Sequence, residues 1–429
     1  MVKKIQVDFT AQDLSNASGI YPVLVFLKKL GLEQIIKKFI PAREYCNQKF
    51  SFGQIITGII CGLIAGANRI KKIETFTKDP LFREALGLKG PINDSTIIGR
   101  IENIGIKEAY AMNELNGKIS RKVHAKFHVK TEIVDCDSTV KTVYGSQEGA
   151  AVGYNPHKKG AKSYHPLLAF LNSTRECILS YFRPGDAYTA NNAAEFIRHI
   201  SGILYTGWKR LVFRMDSGFF NGGILAAIEE IKGAFFLVKV KMKNLIAFLE
   251  YREWKPVSGH EGWEQTEFEY LANGWKKSRR FVAVRKLIRV ETEGLVFSKE
   301  VYEYFCYCTN MKLKPYKTHK FYGDRGTCEN WIEAVKKQMF AGMLLTQDFW
   351  VNDFLWSCSV LAYNVGIWMR YLVDRKSHQE EPETFRAWFI KVAGKIVRRS
   401  HQVKLVLSRY FMDKDRWQNF YYNLCELQI

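Results

Sequence analysis

A mixed α/β core carrying a β-rich insertion and flanked by helical regions at both ends is the fold class predicted for this 429-residue chain. Three observations carry that prediction. Apolar spacing is helical up to about residue 128, turns strand-like from Thr131, and becomes helical again from Thr327. Between those limits the runs read strand, strand, strand, helix, strand, helix, strand. The longest apolar stretches, Ile55–Ala67 and Phe354–Trp368, are short or broken by Ser, Gly and Asn. Neither reaches the roughly 18 residues of a membrane span.

The elements follow in order. Ser51-Phe-Gly-Gln54 has the form of a capping box opening a helix from Ile55. Pro91-Ile-Asn-Asp-Ser95 reads as a loop and N-cap ahead of a short helix over Thr96–Ile104. Small helices in a basic chain suit a helix-turn-helix-like DNA-binding region, and equally a helical packing region without base contacts. Thr131–Tyr144 is rich in β-branched residues, and Pro166–Asn172 and Cys177–Phe182 are largely apolar, giving three strands. Asn191–Leu204 reads as a helix, Arg210–Met215 as a buried strand, Gly223–Ile231 as an amphipathic helix and Ala234–Val240 as the next strand. An antiparallel meander feeding a parallel βαβ extension is the order of an RNase H-like core. Thr266–Tyr270, Arg280–Val290 and Val301–Tyr307 then alternate between Gly and Asn turns, as strands of an insertion would. The helical segment after Thr327 carries Trp331, Trp350, Trp356, Trp368, Trp388 and Trp417, which are expected mostly in the core.

Composition narrows the function class. Hydrophobic residues make up 47% and charged residues 25%, a globular balance. Lys and Arg number 64 against 43 Asp and Glu, a net charge of +21, which attracts polyanions and nucleic acid first among them. The nine cysteines are scattered and form no CxxC pair, which argues against a zinc ribbon or a disulfide framework. Cys306 and Cys308 fit side-by-side core thiols. The N-terminus MVKKIQVDFT lacks an apolar h-region, so no signal peptide is expected and the location expected is cytoplasmic.

Candidate chemistry begins in the first strand. Ile133-Val-Asp-Cys-Asp-Ser-Thr139 puts Asp135 and Asp137 on one face, with Val134 and Cys136 opposite. Two acids on one strand face repel and are costly to desolvate, so a cation or a basic partner is expected beside them. A second acid, Asp216 in Arg214-Met-Asp-Ser-Gly218, ends an apolar strand, where ligands gather in open α/β sheets. If the first and fourth strands are neighbours, Asp137 and Asp216 share a site. Tyr322, Arg325, Glu329 and Lys336 follow at spacings that fall within about 60° of one another at roughly 100° per residue, provided the segment is helical throughout. Gly323 and Gly326 weaken that helix at its start. The face would offer an acid for metal, two cations for phosphates and a phenol.

At these residues the chain resembles bacterial DDE transposases. Tyr322-x2-Arg325-x3-Glu329-x6-Lys336 matches the Tyr-Arg-Glu-Lys signature of the insertion sequence 4 superfamily. Asp135-Cys-Asp-Ser-Thr-Val140, Gly145-Ser-Gln-Glu-Gly-Ala150, Gly153-Tyr-Asn-Pro156, Ser163-Tyr-His-Pro-Leu167, Met215-Asp-Ser-Gly218 and Arg325-Gly-Thr-Cys-Glu-Asn330 look like the insertion sequence 1380 group. The likeness runs from about residue 90 to 405. It implies an RNase H-like catalytic domain with Asp137, Asp216 and Glu329 as catalytic acids and metal ligands, Asp137 and not Asp135 being the first. Three carboxylates suit Mg²⁺ or Mn²⁺, two ions per active site, cutting transposon ends and joining the freed 3′-OH to target DNA.

The expected organisation is then a helical N-terminal region at 1–128 that binds DNA ends, the first part of the core at 129–240, the β-rich insertion at 241–310, the glutamate helix of the core at 311–345, and a helical C-terminal region at 346–429. The expected partners are double-stranded DNA, as terminal inverted repeats and as target, and a second copy of the chain, since two ends must be joined in concert. The aromatic-rich helices after Leu344 are a candidate for part of that homodimer interface, with a packing layer over the catalytic domain as the other reading. DNA contacts are expected from Tyr322, Arg325 and Lys336, from Lys158, Lys159 and Lys162 in the loop that begins at His157, and from Lys276 and Arg279. Lys277 and Arg280, Lys312–Lys320, and Arg398, Arg399, Lys404 and Arg409 are further basic clusters. Trp254 and Trp275 are candidates for stacking on a base, with core or turn packing as the other reading. Two other functions fit the same residues: a domesticated DNA-binding protein without transposition activity, which a lost acid would signal, and a stand-alone metal-dependent nuclease, which would cleave DNA without joining it.

Overall fold

The computed structural model describes residues 3, 5–44, 46–126, 129–156, 158–204, 207–241, 245–293, 297–400 and 402–429, and of 290–293 and 297–299 the backbone alone. The chain divides into two compact units, Asn116–Glu333 and Met1–Leu115 together with Ala334–Ile429. The terminal regions, separate in sequence, thus share one unit. Such long-range pairing leaves no periodic trace in the chain.

Asn116–Glu333 is built on a nine-stranded mixed sheet. Its first core strand, Thr131–Ser138, is flanked by a second, Leu167–Leu171, and a fourth, Arg210–Met215. The third, Cys177–Tyr181, lies outside the second, and the fifth, Ala234–Lys239, outside the fourth. The first three pair antiparallel, whereas first, fourth and fifth run parallel. Ala193–Ile203 and Gly222–Glu229 supply the crossover helices. Val134, Cys136, Phe213 and Met215 pack with Phe196, Ile200 and Ile228 of those helices in one core. Alternation along the first strand leaves Asp135 and Asp137 on the opposite face, as expected.

The insertion is β-structured but does not form a layer of its own. Trp263–Tyr270, Arg279–Glu293 and Phe297–Thr309 form an antiparallel meander. It joins the fifth core strand through Tyr307↔Lys239, Cys308↔Val238 and Thr309↔Leu237. Thr309 Oγ1 donates to Phe236 O at 2.7 Å, and Phe236 N to Asn310 Oδ1 at 2.8 Å. These bonds fix the junction and widen the core sheet. Cys306 and Cys308 are buried free thiols there.

The other unit is centred on the 25-residue helix Phe349–Val373, buried along nearly its whole length. A helix apolar on all sides belongs inside a protein. Trp356 and Trp368 are at most 1% exposed, so the aromatic surface expected at a homodimer contact is core in this helix. The helix Phe52–Ala65 packs Phe52 onto Phe354, ring centroids 6.0 Å apart, and opens with the expected capping box of Ser51 and Gln54. Its C-terminal carbonyls are met by Arg386, whose Nε donates to Ile64 O at 2.7 Å. The C-terminal region is not all helical: Gly394–Arg399 and Gln402–Leu407 pair as an antiparallel hairpin. The β-branched alternation in Lys395-Ile-Val397 and Val403-Lys-Leu-Val406 is the signal that the helical expectation overlooked.

Asp353 stands in the long helix at 5% exposure with Oδ1 unpaired, and burial pushes its carboxyl up to about 7. An acid raised in this way favours the folded state below its ordinary value of 3.8. That advantage is lost as pH rises toward 7. Asp353→Asn is expected to remove the loss and stabilise the protein at pH 8 by about 1–4 kcal/mol. Thermal melts at pH 5 and pH 8 check it: the variant gains clearly more at pH 8 than at pH 5, where only part of the loss has accrued.

Candidate functional site

The site grows from the pairing of the first and fourth core strands. Their parallel register sets Asp135 beside Arg214 and Cys136 beside Met215. One step further, just past the last pair of this parallel ladder, come Asp137 and Asp216. Chain ends of this kind collect reactive groups because the backbone opens there into loops.

The two acids of the first strand have different fates. Asp135 is fully buried and takes two hydrogen bonds from Arg214, at 2.7 and 2.8 Å, both side chains being at most 1% exposed. Arg214 also donates to Phe321 O at 2.9 Å. Burial pushes the Asp135 carboxyl up and the Arg214 guanidinium opposes it. The basic partner that the sequence called for is therefore Arg214. An arginine inside an otherwise apolar strand was the available signal, since such a residue is rarely buried unpaired.

Asp137 reaches the surface end of the strand. Its Oδ1 accepts from Ser138 N at 2.9 Å, and its Oδ2 lies 2.8 Å from an Arg325 terminal nitrogen. Burial pushes this carboxyl up to about 6; Arg325 pulls it down and the neighbouring Asp216 charge pushes it further up. Asp216 caps the turn Ser217–Phe219, accepting from Gly218 N at 3.0 Å. A side chain at Gly218 would stand 3.0 Å from Asp216 Oδ1 and from Thr189 Cβ, so only glycine leaves both in place.

Arg325, Tyr322 and Glu329 lie on a broken helix. Pro315–Gly323 is α-helical, Asp324–Gly326 forms a 3₁₀ turn, Thr327–Glu333 is α-helical and Ala334–Gln338 a π turn. The segment is thus not one continuous α-helix, which was the condition for the common face expected of the four signature residues. Arg325 is buried, with burial opposing its charge and Asp137 sustaining it above the usual guanidinium value. Tyr322 is half-buried, its ring 4.8 Å from Tyr307. Burial pushes its hydroxyl up to about 12, with the Arg325 charge opposing and those of Asp216 and Asp137 reinforcing. Cys328 turns inward, its Sγ 3.9 Å from Asp135 O, while the Trp331 ring meets Phe170 at 5.8 Å. The next residue to Cys328, Glu329, is exposed. Lys336 sits in the π turn, within the other compact unit. Among the described residues no three His, Cys, Asp or Glu side chains converge closely enough to hold a metal ion.

The remaining candidates separate by burial. Lys158, Lys159 and Lys162 are exposed, Lys158 Nζ lying 4.6 Å from the Tyr144 ring centre; His157 falls outside the described residues. Lys276 is exposed as well. Arg279 is buried and takes both oxygens of Glu229, at 3.0 Å each, with its guanidinium 4.7 Å from the Trp275 ring centre. Its charge is spent inside the fold. Trp275 packs on Phe220 and Phe281. Trp254 Nε1 donates to Leu249 O, and its ring covers Tyr304 and Arg285. Both tryptophans are half-buried packing residues of the insertion.

A family model described as Transposase DDE domain group 1 matches residues 1–429. No curated protein matches the sequence. Among solved structures, the chain is similar to a piggyBac transposase synaptic complex with hairpin DNA. That likeness has a TM-score of 0.44 and 13% identity, over 86% of this chain and 79% of that one.

Proposed function

The chain belongs to the family of DDE transposase domains, and from that premise we propose that it is a cut-and-paste transposase of the insertion sequence 4 superfamily, closest to the insertion sequence 1380 group. Asp137, Asp216 and Glu329 are its catalytic acids. They stand on an RNase H-like core, its substrates are the terminal inverted repeats of a transposon and a double-stranded target, and it works in the cytoplasm. The observation that carries this reading is the pair of acids at adjacent parallel strand ends, one of them raised to about 6 by burial and by its neighbour's charge.

Such a pair fits a hard divalent cation. The donors are all oxygen, and the repulsion that raises Asp137 is relieved by positive charge. Asp137 and Asp216 would hold Mg²⁺ or Mn²⁺, two ions per site, with Glu329 joining them from the exposed rim of its helix once DNA is bound. Once bound, the ions would activate the attacking water or 3′-OH and stabilise the leaving oxygen. The chain's own groups prepare the ground. Arg325 neutralises Asp137 in the free protein and is placed to meet phosphate charge at the same spot. Tyr322, held protonated at neutral pH, offers a hydrogen-bond donor. Exposed Lys158, Lys159, Lys162 and Lys276 supply contacts to the DNA backbone, which needs cations but little geometry. A homodimer is the expected active species, because two ends must be joined to one target.

The test is a joining assay. Labelled linear DNA bearing the element's ends is incubated with the protein, Mg²⁺ and supercoiled plasmid. Labelled ends joined to plasmid are expected, and none with EDTA. A nicked plasmid without joined ends would instead support the stand-alone nuclease.

A further inference from the structure

Beside the acid pair the chain builds a loop held far more firmly than its length requires. Residues 184–191 connect the third core strand to the helix Ala193–Ile203. Arg183, 5% exposed, lies under this loop with its Nε and one terminal nitrogen committed to carbonyls. It donates to His165 O at 3.0 Å, to Tyr188 O at 3.1 Å and to Asn191 O at 2.7 Å. His165 Nδ1 bonds Ala187 O. A small three-stranded sheet of Lys141–Thr142, Ala151–Val152 and Lys162–Tyr164 lies beside the loop, and a Cβ on Gly185 would stand 2.0 Å from Ser163 O and 2.3 Å from Ala151 O there. Loop and sheet therefore form one rigid block.

At Thr189 that block reaches the acids. Thr189 Oγ1 is 3.0 Å from Ser138 Oγ, one residue after Asp137. Its Cβ is also 3.0 Å from where a Gly218 side chain would begin, two residues after Asp216. The adjacent residue, Tyr188, is 71% exposed. Among the described residues no ring packs on it. The loops that follow the small sheet's strands Lys141–Thr142 and Ala151–Val152 add Tyr144 and Tyr154, 85% and 67% exposed, and Lys158 stands over the Tyr144 ring. Aromatic faces interleaved with cations are the surface that unpaired bases stack on.

We propose that Tyr188 stacks on an unpaired nucleobase of the DNA strand whose phosphate lies at Asp137 and Asp216. The inference rests on the transposase reading of that site. An unpaired base is required because in a duplex both faces of each base are covered by its neighbours. The rigid block makes the stacking a positioning device: a base fixed by Tyr188 fixes the adjoining phosphate at the strand ends.

A binding experiment tests this without requiring cleavage. The probe is a short duplex with one unpaired 2-aminopurine at its end, titrated with the full chain in Ca²⁺. Wild type is expected to lower the probe's fluorescence on binding. Tyr188→Ala should lose most of that change and bind about tenfold more weakly. Tyr188→Phe should keep both, and each variant should melt with the wild type, since the side chain is exposed. On a fully paired duplex without the overhang, Tyr188→Ala should bind as the wild type does. Equal quenching by Tyr188→Ala and wild type would overturn the proposal. So would a Tyr188→Phe variant that falls as far as Tyr188→Ala, which would assign the effect to the hydroxyl. A wild type that quenches the probe yet never joins ends would leave this inference standing and refute the transposase reading.

Discussion

Asp135→Ala is expected to destabilise the protein by about 3–5 kcal/mol, the range for removing one partner of a buried ion pair. Arg214 would be left charged, at most 1% exposed and without its carboxylate. The cost is that of the orphaned cation more than of the lost attraction, so Asp135→Ala combined with Arg214→Met should recover much of the stability. Thermal or urea melts of the two variants measure both effects. An Asp135→Ala protein that melts with the wild type would show that the pair does not hold the first and fourth strands together.

The second large effect is on chemistry. Asp216→Ala and Glu329→Ala should each lower end cleavage at least about a thousandfold while melting near the wild type, because both side chains serve the site and not the core. Asp137→Ala should be as inactive. It should also cost some stability, though less than Asp135→Ala, because Asp216 remains to face Arg325. Single-turnover cleavage of end DNA, with melting curves of the same preparations, separates these outcomes. An Asp216→Ala protein retaining more than about a tenth of the wild-type rate would remove Asp216 from the catalytic set.

The contrast between Asp135 and Asp137 shows how far the sequence could be read. Alternation alone put both acids on one face, and the face is the same in the structure. That one is locked to an arginine and the other lies at the strand end is a matter of register with Arg214 and Arg325, residues about 80 and 190 positions away in the chain by simple counting. Local signals were legible where they are strong. The buried strand Arg210–Met215 and the capping box at Ser51 have the bounds their residues suggest. The helix around Glu329 was less legible, since 3₁₀ and π turns leave no periodic mark and shift every residue that follows. Likewise the insertion was readable as strands, but not as an extension of the core sheet, because its joining pairs at Tyr307–Thr309 are non-local. Arg279 looked like a DNA contact from its basic neighbours; only the fold reveals Glu229 beside it.

The central claim is that Asp137, Asp216 and Glu329 act as one cation-holding set when DNA is bound. Its most direct test is a Mn²⁺ titration, followed by electron paramagnetic resonance, of the protein on end DNA, with wild type compared to Asp137→Asn, Asp216→Asn and Glu329→Gln. The prediction is that each variant binds Mn²⁺ at least about tenfold more weakly while still binding DNA. Wild-type Mn²⁺ affinity in any one of the three would contradict the claim and strike that residue from the site.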